Sequence, residues 1–214
     1  MLDYYFIGKE KVITTDKNNY NWLVIDSSDT KEIEQVIEKY RLPKDIFVGT
    51  SLPEEVSRIE ELVGTNLNHP ISLVLLNLSN QEQKIENRLM PISFIYSDEL
   101  LISCIDKKTD FFDRVLAKHG NKINSFETLI AYSVLNIYTH YVKELTEMKK
   151  RIDSLDQEAR KTTENEELYK QADLERDIVY IDHTLRDQKE TLDTLWQSED
   201  FVEKLADARL LYDI

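Results

Sequence analysis

Glycine and proline disappear from this 214-residue chain after residue 120. All four glycines and all four prolines lie at or before Gly120. These residues punctuate turns, so the chain has two halves of different grammar, with a boundary near 120–128. Cysteine is as scarce, with Cys104 alone. One thiol excludes an internal disulfide or a zinc knuckle. Within the apolar run Leu100–Ile105 it reads as a buried small hydrophobe, and the scarcity of thiol pairs points to a reducing, cytosolic compartment. No apolar run approaches the roughly 18 residues of a bilayer span. Acidic Asp3 stands where a secretory signal would carry basic residues. Positive charge is in deficit, with 27 Lys+Arg against 41 Asp+Glu and a formal net charge of -14. That argues against nucleic acid or an anionic membrane surface as a partner, because both demand a basic patch. The acidity is compatible with divalent cations, although most acids simply solvate a surface.

Catalytic signatures are missing as well. The phosphate-loop, dinucleotide, zinc-protease and nucleophile-elbow patterns do not occur. The glycines are isolated and cannot line up the consecutive N–H groups that cradle a phosphate. The chain therefore reads as something other than an enzyme. His140 with Glu144, and His183 with Asp187, are i,i+4 pairs of the kind that can clamp a metal on a helix. In a chain with 32% charged residues, chance pairing is the plainer reading. Tyr132, Tyr138 and Tyr141 read as packing rather than a ligand box. The acids 164–167 read as a turn and first helical turn, where the helix dipole favours them.

The first half mixes strand and helix signals. Tyr4–Ile7 and Val12–Thr15 suggest two short strands around Gly8, and Trp22–Ile25 a buried one. Asp29-Thr30-Lys31-Glu32 has capping-box spacing and precedes a stripe of Ile33, Val36, Ile37 and Tyr40, closed by Pro43. Ile71–Leu78 is another apolar run. Pro91–Tyr96 and Leu100–Ile105 flank Ser97-Asp98-Glu99 as a hairpin, and Phe111–Leu116 suggests a helix ending near Gly120. The second half is helical. Tyr138, Tyr141, Leu145, Met148, Ile152, Leu155 and Ala159 step by three and four, the seam of a coiled coil. Thr163 and Glu166 begin a second helix, whose seam runs Leu174, Ile178, Ile181, Leu185, Leu192 and Leu195, with Gln188 at the missing step. A short connection predicts an antiparallel pair. Long helices with narrow apolar stripes also predict self-association. A third helix, capped by Ser198, covers 201–214 and has no stop signal, so it is expected to continue. The fold class is thus α+β: a layered α/β domain over 1–125, an acidic antiparallel helix pair over 126–197, and the start of a further helix over 198–214.

The order of these elements resembles a known family. The strand W-L-V-I-D at 22–26, S-R-I-E at 57–60, I-S-L-V-L-L-N-L at 71–78, the hairpin P-I-S-F-I-Y-S-D-E-L-L-I-S, T-L-R-D at 184–187 and L-L-Y-D at 210–213 together look like the cytoplasmic part of the CorA family, the two-transmembrane-helix metal-ion transporters. The likeness runs through the whole chain, while the family's Gly-Met-Asn signature is not in it. The resemblance implies the cytosolic regulatory domain of a Mg2+ channel, with Co2+ or Ni2+ as other cargo, at the cytoplasmic face of the cell membrane. It implies a homopentamer whose membrane helices would follow residue 214, and regulatory Mg2+ bound between subunits in the closed state. The family pairs an acid near the top of the stalk helix with one in the loop after the strand matched by 71–78. Here Leu210 takes the stalk position, and the loop offers Glu82. Asp207, one turn earlier, and Asp213 are the possible substitutes, so the candidate divalent-cation ligands are Asp207, Asp213 and Glu82. A Zn2+-transporting relative is the near alternative, and a soluble coiled-coil scaffold with an α/β head the distant one.

Overall fold

The computed structural model describes residues 2–47, 56–79, 85–159, 165–205 and 210. Seven strands form one sheet: β1 (Asp3–Ile7), β2 (Val12–Thr14), β3 (Trp22–Asp26), β4 (Arg58–Glu61), β5 (Ile71–Leu78), β6 (Leu89–Tyr96) and β7 (Leu101–Ile105). Their order is β2-β1-β3-β7-β6-β5-β4. Among the described strands only the β3–β7 pairing is parallel, with Trp22 opposite Leu101; the others are antiparallel. β6 and β7 form the expected hairpin, with Tyr96 opposite Leu101.

Successive side chains on a strand face opposite ways, and here both ways lead into a core. Trp22 and Val24 join Leu73, Phe94 and Leu101 on one face, while Leu23 and Ile25 join Ile95, Ile102 and Cys104 on the other. That accounts for the continuous apolar runs of β3, β5 and β7, which show no polar alternation. Trp22 keeps its indole satisfied in this dry setting by donating Nε1–H to Ser103 Oγ at 3.0 Å.

Helix α1 (Thr30–Tyr40) covers the second face through Val36, which is buried. Asp29 caps it, accepting the N–H groups of Lys31 and Glu32 at 3.1 Å each. The capping box is only half reciprocal, because Glu32 turns its Oε2 toward the Asp26 N–H at 3.5 Å. The first face carries α2 (Phe111–His119), α3 (Phe126–Ala159), α4 (Asn165–Trp196) and the short α5 (Glu199–Glu203). Gly120 ends α2 in right-handed geometry. It is required for closeness, since a Cβ there would stand 2.5 Å from the Leu116 carbonyl oxygen.

The two seams face inward as their spacing predicts. Tyr141 and Met148 on α3, and Ile181, Leu192 and Leu195 on α4, are buried. Gln188, at the missing step, is fully buried too. Tyr141 and Gln188 both reach Leu76 of β5, as two helices running in opposite directions from a short connection require. The first turns of α3 lie in the sheet core itself, where Leu129, Ile130, Val134 and Ile137 have no exposed surface.

One expectation is corrected. The helix expected over 201–214 ends at Glu203, and the Leu205 N–H bonds back to the Val202 carbonyl, a tightened i→i−3 turn. That tightening accompanies the burial of Phe201 and Leu205 against the core, with Leu210 also buried. Residues 206–209 and 211–214 lie outside the described ones.

His119 brings a pH prediction with it. It is buried and stacks on Tyr132 with ring centroids 4.2 Å apart, and neither ring nitrogen has a hydrogen-bond partner among the described residues. Burial, helped by Lys118 and Lys122, lowers its pKa below the ordinary histidine value. The unfolded chain then binds the extra proton first, so stability is full above about pH 6.5 and falls as pH drops toward the folded pKa. His119→Phe is expected to lose less stability than the parent between pH 7 and pH 5 in urea titrations. Equal losses would contradict the assignment.

Candidate functional site

The helix pair meets the sheet at the carboxyl end of β5. Among the described residues β4 pairs with β5 only from Ile71 to Val74, and no described strand continues beside the later residues of β5. Side chains from the helices close that edge. The Leu76 N–H donates to Gln188 Oε1 at 2.9 Å, and Tyr141 Oη donates to the Leu76 carbonyl at 3.2 Å. His140 Nδ1 lies 3.3 Å from Asn77 Oδ1. An unpaired backbone group buried here would cost about 1–3 kcal/mol. This explains why a glutamine interrupts an otherwise apolar seam.

The next residues hold an ion pair. The Ser79 N–H donates to the Arg88 carbonyl at 2.6 Å, and Arg88 Nε donates back to the Ser79 carbonyl at 3.2 Å. The guanidinium then grips Glu144 on α3 with two bonds, of 2.8 and 2.7 Å. Both side chains are largely buried, at 13% and 8% exposure. The bonds from Arg88 hold the Glu144 carboxyl below its ordinary range, and Glu144 in turn raises Arg88. Ser79 and Arg88 bracket the connection from β5 to β6, so this pair ties both of its ends to α3.

The second region is the C-terminal segment. Phe201 meets Tyr96 edge-on, with ring centroids 5.9 Å apart. Ser125 Oγ donates to the Lys204 carbonyl at 3.3 Å, and Lys204 Nζ lies 3.8 Å from the buried Glu127. Leu210 is 6% exposed, an apolar residue in an apolar setting.

The three candidate ligands, Glu82, Asp207 and Asp213, lie outside the described residues, as do the side chains of the acidic run 164–167. Among the described residues no three His, Cys, Asp or Glu side chains gather to hold a metal ion. The i,i+4 pairs supply none. Both oxygens of Glu144 belong to Arg88, while burial and Arg114 lower the pKa of His140. His183 and Asp187 are exposed on α4. Sequence reasoning overlooked the Arg88–Glu144 pair, whose partners stand 56 residues apart. It also overlooked the role of Gln188, for which the break in the seam was the available signal.

The described architecture is a mixed sheet with helices on both faces, joined to a long helix pair that closes one strand edge. The model of the CorA-like Mg2+ transporter protein family matches residues 17–214, and the chain belongs to that family. Its fold is similar to the ZntB cytoplasmic domain from Vibrio parahaemolyticus, with a TM-score of 0.76 at 11% identity over 99% of this chain and 85% of that one. It is also similar to the soluble domain of CorA from Methanocaldococcus jannaschii, with a TM-score of 0.75 at 15% identity over 100% and 87%. The complete CorA magnesium transporter of the same organism aligns at a TM-score of 0.74 and 14% identity, over 100% of this chain and 69% of that one. No curated protein matches the chain. Among the described residues no helix is long and apolar enough to cross a membrane.

Proposed function

We propose that this chain is the cytosolic regulatory domain of a divalent metal-ion transporter and responds to Mg2+, in a full-length protein that is a homopentamer at the cytoplasmic face of the membrane. The observation that carries the reading is the family match over nearly the whole chain, joined to the shared fold of the CorA soluble domain. By the family resemblance the candidate ligands are Glu82, Asp207 and Asp213, which lie outside the described residues. Carboxylate oxygens are the donors that a hard divalent cation prefers. Similarity to a ZntB domain supports a second reading, in which the ion is Zn2+; Co2+ is a further cargo of the same class.

The test is protection from heat or protease. Millimolar Mg2+ is expected to raise the thermal midpoint and slow proteolysis of the wild-type chain, and Asp207→Ala is expected to weaken both effects. Absence of any Mg2+ effect in the wild type, together with no effect of Asp207→Ala, rejects the sensor. Protection by micromolar Zn2+ without a Mg2+ response favours the second reading.

A further inference from the structure

β2 ends the sheet, and no described strand pairs with its outer side. The register of the β1–β2 hairpin fixes what that side presents. The Gly8 N–H donates to the Lys11 carbonyl at 3.0 Å, and the Thr15 N–H donates to the Tyr4 carbonyl at 2.8 Å. These are hydrogen-bonded pairs of the antiparallel ladder, and Phe6 with Ile13 between them is another. Tyr5 opposite Thr14, and Ile7 opposite Val12, are then the alternate pairs, whose backbone groups turn away from each other. On the β1 side Asn21 takes them up. Its N–H donates to the Tyr5 carbonyl at 3.1 Å, and its side chain bonds the N–H and carbonyl of Ile7 at 2.7 and 3.0 Å. On the β2 side the N–H and carbonyl groups of Val12 and Thr14 point outward and bond nothing among the described residues.

A groove of about 480 Å3 lies beside this edge, between β2 and the carboxyl end of α2. Its floor is apolar, because Tyr5, Val12 and Leu116 are half-buried and pack against the core of that face. Its rim is basic. Lys11 comes from the β1–β2 turn and Lys118 from the last turn of α2. Both are exposed, and neither makes an ion pair among the described residues. Lys118 stands where a cation offsets the helix dipole, but Lys11 belongs to another element and has no such duty. Nearby acids are engaged or displaced. Asp3 is held by Lys107 at 2.8 Å, Asp16 accepts the Asn18 N–H at 2.8 Å, and Asp113 lies in the first turn of α2, at the opposite end from Lys118. On the other face of β2, Ile13 is 41% exposed, so apolar surface lies open on both sides of the strand.

Strand addition to a sheet edge needs outward backbone groups for affinity and a pocket for alternate side chains for specificity, and both are present here. Lysines near an edge strand guard it against stray apolar strands. In this groove the guard also selects by charge, because a strand carrying acids neutralises Lys11 and Lys118 while a basic strand is repelled. We propose that β2 is a docking edge for an extended acidic segment of a partner protein. The segment pairs with the N–H and carbonyl groups of Val12 and Thr14, lays an apolar side chain over Tyr5 and Val12, and sets carboxylates against Lys11 and Lys118. The proposal is independent of the regulatory reading, since it uses none of the candidate metal ligands.

The probe is a short, end-blocked fluorescent peptide alternating valine and glutamate, titrated by anisotropy into the whole chain in EDTA. It is expected to bind, and the same peptide with lysine in place of glutamate is not. Lys11→Gln and Lys118→Gln are each expected to weaken binding about twofold to fivefold, the worth of one exposed charge pair. Thr14→Pro removes an outward N–H that β1 does not use, a change edge strands accept, and is expected to weaken binding about tenfold. A peptide N-methylated at alternate residues makes the same cut on the partner's side, so the test holds should Thr14→Pro misfold. No binding of the glutamate peptide, equal binding of the lysine peptide, or affinity untouched by N-methylation overturns the proposal. Self-association of the wild type that Thr14→Pro abolishes would also overturn it, by assigning the edge to a second copy of this chain.

Discussion

Replacing Glu144 with alanine is expected to lower the unfolding free energy by about 3–5 kcal/mol, a large part of the total for a domain of this size. The reason is asymmetry. The pair sits at 13% and 8% exposure with two short bonds, so the alanine leaves a guanidinium largely buried with no counter-charge. Arg88→Met, which strands the carboxylate, is expected to cost a similar amount. The double change Arg88→Met with Glu144→Leu removes both charges and is expected to recover most of the loss, because apolar pairs of similar volume often match a buried ion pair in stability. Urea unfolding of the three variants measures this directly, and a double variant no better than either single one would contradict the account. The pH dependence has a fixed sign. Arg88 depresses the folded pKa of Glu144, so the contribution of the pair is complete above the ordinary glutamate range and is lost as pH falls through the folded value. Glu144→Ala is therefore expected to flatten the acid limb of the stability curve.

That pair also shows where reading the sequence stops. Local signals were legible: the Asp29 cap, the run Trp22–Ile25, the hairpin around Ser97-Asp98-Glu99 and the two helical seams all rest on neighbours within a turn or two, where spacing alone carries the physics. β4 was not legible. It is a charged edge strand whose Glu60 and Glu61 are exposed, the composition that protects an edge from further pairing and that hides it from a search for apolar alternation. The last helix was over-extended, because a good start signal and an inward stripe do not report a tertiary pull on Leu205. The polar contacts at the end of β5 join residues 56 to 112 positions apart, and in a chain so rich in charge no single Arg or Glu announces its partner. Gln188 is the exception, since a polar residue in an apolar seam is itself a sign of a buried acceptor at work.

Leu210 provides the sharpest test of the regulatory assignment. By family resemblance its position belongs to an acid, yet the side chain here is 6% exposed within the core. Leu210→Asp is expected to destabilise the metal-free chain by about 3 kcal/mol or more, combining lost apolar burial with a carboxylate held away from water. Leu210→Asn separates the two contributions, because it is polar without a charge. Burial raises the folded pKa of the new carboxyl above its unfolded value of about 3.9. Its charge penalty is therefore absent below that value and grows as pH rises through the folded pKa. The Asp variant should be less stable than the Asn variant at pH 7 and close to it at pH 4. Thermal melts at both pH values, with EDTA and then with millimolar Mg2+, separate the possibilities. Stability equal to the wild type at pH 7 in EDTA would show that position 210 faces water, against the core packing described above. Recovery of the Asp variant by Mg2+, with none for Asn, would show that a metal reaches this position once an acid is supplied, and that the leucine is what keeps it out of the natural chain.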